Sequence, residues 1–120
     1  MTYINKQMTP PDFKVVTHLN GASIVLELHG HLNILTTAEL ERCVEDYISS
    51  GNRRLVMDCS ALEYCSSAGL RVFLTTVKRL KSSGGSCAFA ALTPAVADIF
   101  EMAGFHEVME IHASIAQAIG

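Results

Sequence analysis

The chain has 120 residues, 49% of them hydrophobic, with no tryptophan and a formal net charge of -3 from nine Lys plus Arg against twelve Asp plus Glu. That length suits one domain around one core, and the charges are interspersed with no basic stripe to follow a phosphate backbone, so nucleic acid is not an expected partner. No apolar run reaches the roughly 18 residues of a membrane span, and the start "MTYINKQMTPPDF" lacks the apolar segment of a secretory signal; the expectation is a soluble cytoplasmic protein without membrane insertion.

Residues 1–12, with Thr-Pro-Pro, read as an N-terminal arm, leaving residues 13–120 as the domain. "FKVVTHL" and "SIVLELH" flank "NGA", where Asn20-Gly21 supplies the positive dihedrals of a tight hairpin turn, so the first two strands are expected to be antiparallel neighbours. Thr36-Thr37-Ala38-Glu39 has the spacing of a capping box, and Leu40, Val44, Tyr47 and Ile48 form one apolar helical stripe that Gly51 ends. "RLVMD" predicts a short strand closed by Asp58. Beyond it Leu70, Phe73, Leu74, Val77 and Leu80 repeat at helical spacing, with Arg71, Thr75, Lys78 and Arg79 on the other side and "SSGG" as the stop. "SCAFAAL" reads as a buried strand. Thr93-Pro94 opens a third helix whose inner face is Val96, Ile99, Phe100 and Ala103, "HEVMEI" reads as a last strand, and "SIAQAI" as a terminal helix. The order β-β-α-β-α-β-α-β-α demands an α/β fold: a mixed, mainly parallel sheet of about five strands with an N-terminal hairpin and about four helices.

Cys43, Cys59, Cys65 and Cys87 show no close pairing, and each sits in or beside an apolar segment, which reads as buried thiols and not as a disulfide framework or zinc site. His29 and His31 face the same way if their strand continues through both, but no third ligand clusters with them, so no metal and no cofactor is expected.

Sites in such sheets gather beyond the carboxyl ends of the strands, which singles out "GHLNIL" and "DCSALEYCSSAG" and, if the two lie side by side, brings His31 and Asn33 near Ser66 and Ser67. A hydrolase would use one serine as nucleophile with His31 as base and Asp58 as its orienter, yet the G-x-S-x-G elbow is absent, as are both phosphate-binding glycine motifs. A serine at a helix start is first an ordinary N-cap. It is also a place where a phosphate is stabilised by the helix and repels a docked partner. Position alone leaves both readings open, and Asn33 reads equally as a turn residue or a contact.

The segment "LVMDCSALEYCSSAGLRVFL", with "GHLN" at 30–33, "GG" at 84–85 and "TPAVADIFEMAGF" at 93–105, resembles the bacterial anti-sigma factor antagonists, single STAS domains, from about residue 13 to the end. The resemblance implies a non-enzymatic switch that binds a serine-protein kinase/anti-sigma factor of histidine-kinase-like ATPase fold and releases it when one serine is phosphorylated, with a serine phosphatase restoring the active form. That serine lies two positions before the motif's Gly-Leu, here Ser67 before Gly69-Leu70. The implied contact surface comprises His31, Asn33 and Thr36 in the first loop, Ser66, Ser67 and Ala68, and Arg71, Thr75 and Lys78 on the following helix. His31 and Asn33 stand where the family often carries carboxylates. The same domain also serves in other complexes, such as chemosensory or lipid-transport assemblies, without phosphorylation.

Overall fold

In the computed structural model, which describes residues 12–119, the hairpin forms as the sequence predicts. Strand β1 (Phe13–Asn20) pairs antiparallel with β2 (Ser23–Leu32) in register Asn20 to Ser23, so the turn proper is Gly21-Ala22. Only Gly21 takes a positive φ there (62°), the Gly-X form of a two-residue loop, whereas Asn20 remains in the strand. The expected arm of residues 1–12 lies, Asp12 apart, outside the described residues.

The remaining elements are α1 (Thr37–Ser49), β3 (Arg54–Cys65), α2 (Ser67–Ser82), β4 (Ser86–Ala90), α3 (Pro94–Met102), a 3-10 turn (Phe105–Glu107), β5 (Glu110–His112) and α4 (Ile115–Ile119). The five strands lie in the order β1-β2-β3-β4-β5, antiparallel at the first pair and parallel thereafter. Helices α1, α2 and α3 cover one face, burying Leu26, Leu28, Leu55, Met57 and Phe89 of the sheet against Leu40, Phe73, Leu80 and Phe100. Phe73, Phe89 and Phe100 meet with ring centroids 4.9–5.8 Å apart. The short α4 covers part of the opposite face, where Ala118 packs on Val25, Val56, Ala88 and Ala90. Leu55, Val56 and Met57 are buried consecutively because β3 is covered on both sides, which is why it reads as an unbroken apolar run. Arg54, at the start of β3, ties the sheet to α4: its guanidinium donates to both Glu110 carboxylate oxygens (2.9 and 2.8 Å), to Ser86 Oγ (2.8 Å) and to the Ala118 carbonyl (2.5 Å).

Six expectations are corrected. Asp58 does not close its strand; β3 continues to Cys65 alongside β2, with two register shifts that place one extra β3 residue between the Glu27 and His29 pairs and another between the Gly30 and His31 pairs. A polar residue is tolerated there because its side chain projects away from the core helices. The Thr36 capping box does not form, since the Thr36 hydroxyl is used elsewhere. The inward stripe of α2 is Gly69, Val72, Phe73, Thr76, Val77 and Leu80, rotated from the predicted one so that Leu70 and Leu74 flank it half-buried. "SCAFAAL" ends as strand at Ala90, after which Ala91 turns with φ 59°, and "HEVMEI" supplies only the short β5 after the 3-10 turn. Ala103 is exposed beyond the end of α3, leaving Val96 and Phe100 as its buried anchors.

Candidate functional site

The serine pair sits where β3 becomes α2. The Ser66 amide donates to the Leu32 carbonyl (2.8 Å), extending the β2–β3 pairing by one bond, and Ser66 then serves as N-cap, its backbone extended (φ -83°, ψ 174°) and its hydroxyl accepting from the Gly69 amide at 3.4 Å. Ser67 is the first helical residue. It is exposed, and among the described residues its hydroxyl has no hydrogen-bond partner. The two readings of the pair thus separate onto two residues: Ser66 satisfies the helix end, and Ser67 faces outward.

Packing beneath the pair is tight. A Cβ on Gly69 would stand 2.8 Å from Cys65 Sγ and 2.9 Å from Leu32 Cγ and Cδ2, so glycine lets the first turn of α2 settle onto the ends of β2 and β3. Burial pushes the Cys65 thiol up to about 12, leaving it protonated and inert at neutral pH.

The loop between β2 and α1 is built by Thr36 and Asn33. Thr36, only 4% exposed, donates its hydroxyl to the His31 carbonyl (2.9 Å) and accepts from the Asn33 amide (2.9 Å). Asn33 Oδ1 accepts from the Leu35 amide at 2.9 Å, an Asx turn. Both polar side chains therefore work inside the loop, and what the loop offers outward is Ile34 and Leu35, 75% and 74% exposed. Both lie in the loop 31–36 expected at the contact surface, but neither was singled out there beside His31, Asn33 and Thr36; the signal for them was two bulky apolar residues between a turn-forming Asn and a helix start, where no strand or helix stripe claims them.

Ile34, Thr37 and Glu41 on one side and Ser67, Ala68, Arg71 and Thr75 on the other line an open groove of about 420 Å³. Of the predicted contact residues, Ser67, Ala68, Arg71 and Thr75 thus come together, Ser66 caps behind them, and Lys78 is exposed one turn beyond Thr75 on α2. His31 does not join them. Strand alternation sends its side chain to the face opposite buried Leu32, beside Tyr64 (ring centroids 6.4 Å apart) and between Asp12 Oδ2 (3.5 Å) and Glu63 Oε1 (3.6 Å). The loop lacks carboxylates of its own, but Asp12 and Glu63 bring two to the neighbourhood of His31 from other segments. Gly30 makes this possible: with φ 101°, its missing Cβ leaves room for the Asp12 carbonyl, which accepts from the His31 amide at 2.8 Å.

This geometry overturns the hydrolase arrangement. Among the described residues no hydrogen bond or ion pair joins His31 to either serine or to Asp58, whose carboxylate accepts instead from the Ser60 amide (3.0 Å). His29 pairs with Glu27 (3.1 Å), and among the described residues no group of three or more His, Cys, Asp or Glu is placed to hold a metal.

The sequence model of the STAS domain matches residues 13–118. The chain belongs to the STAS domain family. BtrV of Bordetella bronchiseptica, a candidate anti-sigma factor antagonist, is 36% identical over 84 residues, covering 70% of this chain and 72% of BtrV. The anti-sigma-F factor antagonist RsfB of Mycobacterium tuberculosis is 32% identical over 78 residues, 63% of each chain. The fold of this STAS domain is also that of the Bacillus protein SpoIIAA, an anti-sigma factor antagonist solved unphosphorylated (TM-score 0.74, 19% identity, 89% of this chain and 92% of that one) and phosphorylated (TM-score 0.68, 18% identity, 89% and 96%).

Proposed function

We propose that this STAS domain is an anti-sigma factor antagonist working by partner switching: with Ser67 free it binds a serine-protein kinase/anti-sigma factor of histidine-kinase-like ATPase fold, and phosphorylation of Ser67 releases that partner. The protein is a regulator and not an enzyme; the ATP chemistry belongs to the kinase, and a serine phosphatase resets the switch. The observation that carries the reading is the division of labour between the serines. Ser66 is committed to the helix cap, whereas Ser67 presents its hydroxyl at the mouth of a groove with Arg71 and Thr75 along one wall and exposed Ile34 beside it. A phosphate there adds between about 1.5 and 2 negative charges without breaking any bond of the fold, and it must be desolvated if a partner is to cover it. Relatives named as anti-sigma factor antagonists support the partner class. No helix among the described residues is long and apolar enough to cross a membrane, and a switch acting on such partners works in the cytoplasm.

The test is phosphorylation by the kinase with ATP, read by mass spectrometry. One phosphate is expected on the wild type and on Ser66→Ala, none on Ser67→Ala. A phosphate mapped to Ser66, or no phosphate with a kinase active on its other substrates, overturns the assignment.

A further inference from the structure

Beyond the groove at Ser67, the surface between α1 and α2 continues. A second depression of about 140 Å³ between the same helices shares Glu41, Val72 and Thr75 with the first and runs on to Glu45 and Arg79, which form an ion pair across its far end. From Ser67 to Arg79 the α2 wall runs for thirteen residues, about 18 Å at 1.5 Å per step. Its floor is apolar, with Val44 and Val72 buried. The walls carry opposite charge. On the groove side α1 presents Glu41 and Glu45, and α2 presents Arg71 and Arg79.

We propose that this groove extends the Ser67 docking surface and receives a helical segment of the anti-sigma factor with basic side chains along the edge over α1, acidic ones along the edge over α2, and a small apolar residue over Val72. The inference rests on the partner-switching reading and adds to it the determinants of partner choice. Continuity with the Ser67 groove selects this occupant. A segment lying over Thr75 and Glu41 reaches Ser67 at its end, so a phosphate there meets the acidic edge of the same segment and repels it. The opposed walls fix direction as well as affinity, because reversing the segment's edges sets acid against Glu41 and base against Arg71; like-charge juxtaposition of this kind suppresses wrong partners. Glu45 and Arg79 neutralise one another, leaving Glu41 and Arg71 to discriminate.

The experiment uses the full chain and the purified cognate serine-protein kinase/anti-sigma factor, and measures the Kd and the rate of Ser67 phosphorylation at saturating kinase. Glu41→Arg and Arg71→Glu are each expected to weaken binding about tenfold or more and to change its salt dependence, with the saturated rate within about twofold of wild type. Circular dichroism confirms folding, and Glu101→Arg, exposed on α3, is the control that leaves binding unchanged. Wild-type binding retained by both wall variants overturns the groove while leaving the partner-switching reading intact. A wild-type chain that neither binds the kinase nor is phosphorylated overturns both. Formation of a homodimer that either wall variant dissolves assigns the groove to a second copy and likewise overturns the proposal.

Discussion

Replacing Gly69 by alanine sets two known effects against each other at the site itself. Alanine is the better helix former, by about 0.8–1 kcal/mol in a helix interior, but Gly69 is the third residue of α2, where the backbone is less committed and the gain is smaller. Against it stands the new methyl, 2.8 Å from Cys65 Sγ and 2.9 Å from two Leu32 carbons. Leu32 is fully buried and Cys65 is 2% exposed, so neither side chain can swing into solvent, and relief must come from a shift of the first turn of α2. Overpacking of this kind costs about 1–3 kcal/mol. The net expectation is a loss of about 1–2 kcal/mol, read as a lower urea midpoint at unchanged m-value and a melting temperature lower by roughly 5 °C. A thermodynamic cycle identifies the cause. Cys65→Ala removes one of the clashing atoms, so the double variant should be more stable than the sum of the single losses by about 0.5–1 kcal/mol. Since the turn that must move carries Ser67, kinase affinity should fall as well. A Gly69→Ala protein as stable as wild type or more so would falsify the steric account and show that helix propensity outweighs the clash.

Thr36→Val keeps the shape of a buried side chain but strips the bonds to the His31 carbonyl and the Asn33 amide, so it should cost about 1–3 kcal/mol in urea unfolding; a neutral result means that the loop repacks. Asn33→Asp retains the acceptor for the Leu35 amide, so stability should stay within about 0.5 kcal/mol, while the added charge near the groove should alter kinase affinity; unchanged affinity removes Asn33 from the interface. The Glu110 carboxyl is held down at about 2, chiefly by its hydrogen bonds from Arg54 and then from His112, against 4.5 for the ordinary group. Its contribution is thus fully present above pH 4.5 and lost as the pH falls toward 2, by about 1–2 kcal/mol once its partial exposure to solvent is allowed for. Glu110→Gln should flatten the stability loss across that window, and an unchanged acid limb would place the acid sensitivity elsewhere.

The sequence alone determined the element order, the hairpin at Gly21 and the helix after Thr36 with its apolar stripe, because each depends on neighbours a few residues apart: periodicity and turn chemistry. A cap at the serine pair was legible too, but which serine caps and which faces outward was not, and the switch role of Ser67 came from the resemblance of the motif around it. Tertiary structure decided what depends on which surfaces meet. Asp58 reads as a strand end until β2 is seen to pair alongside it as far as Cys65. The stripe of α2 is wide enough to be centred on two lines, and the small residues Gly69 and Thr76, which let the helix approach, select the inner one. His31 and Asn33 were expected at the contact surface from their place in the loop, but strand alternation carries the His31 side chain to the far face and the Asx turn engages the Asn33 side chain within the loop. Ile34 and Leu35 are left to face outward, since no element packs over a loop whose polar groups are already satisfied inside it.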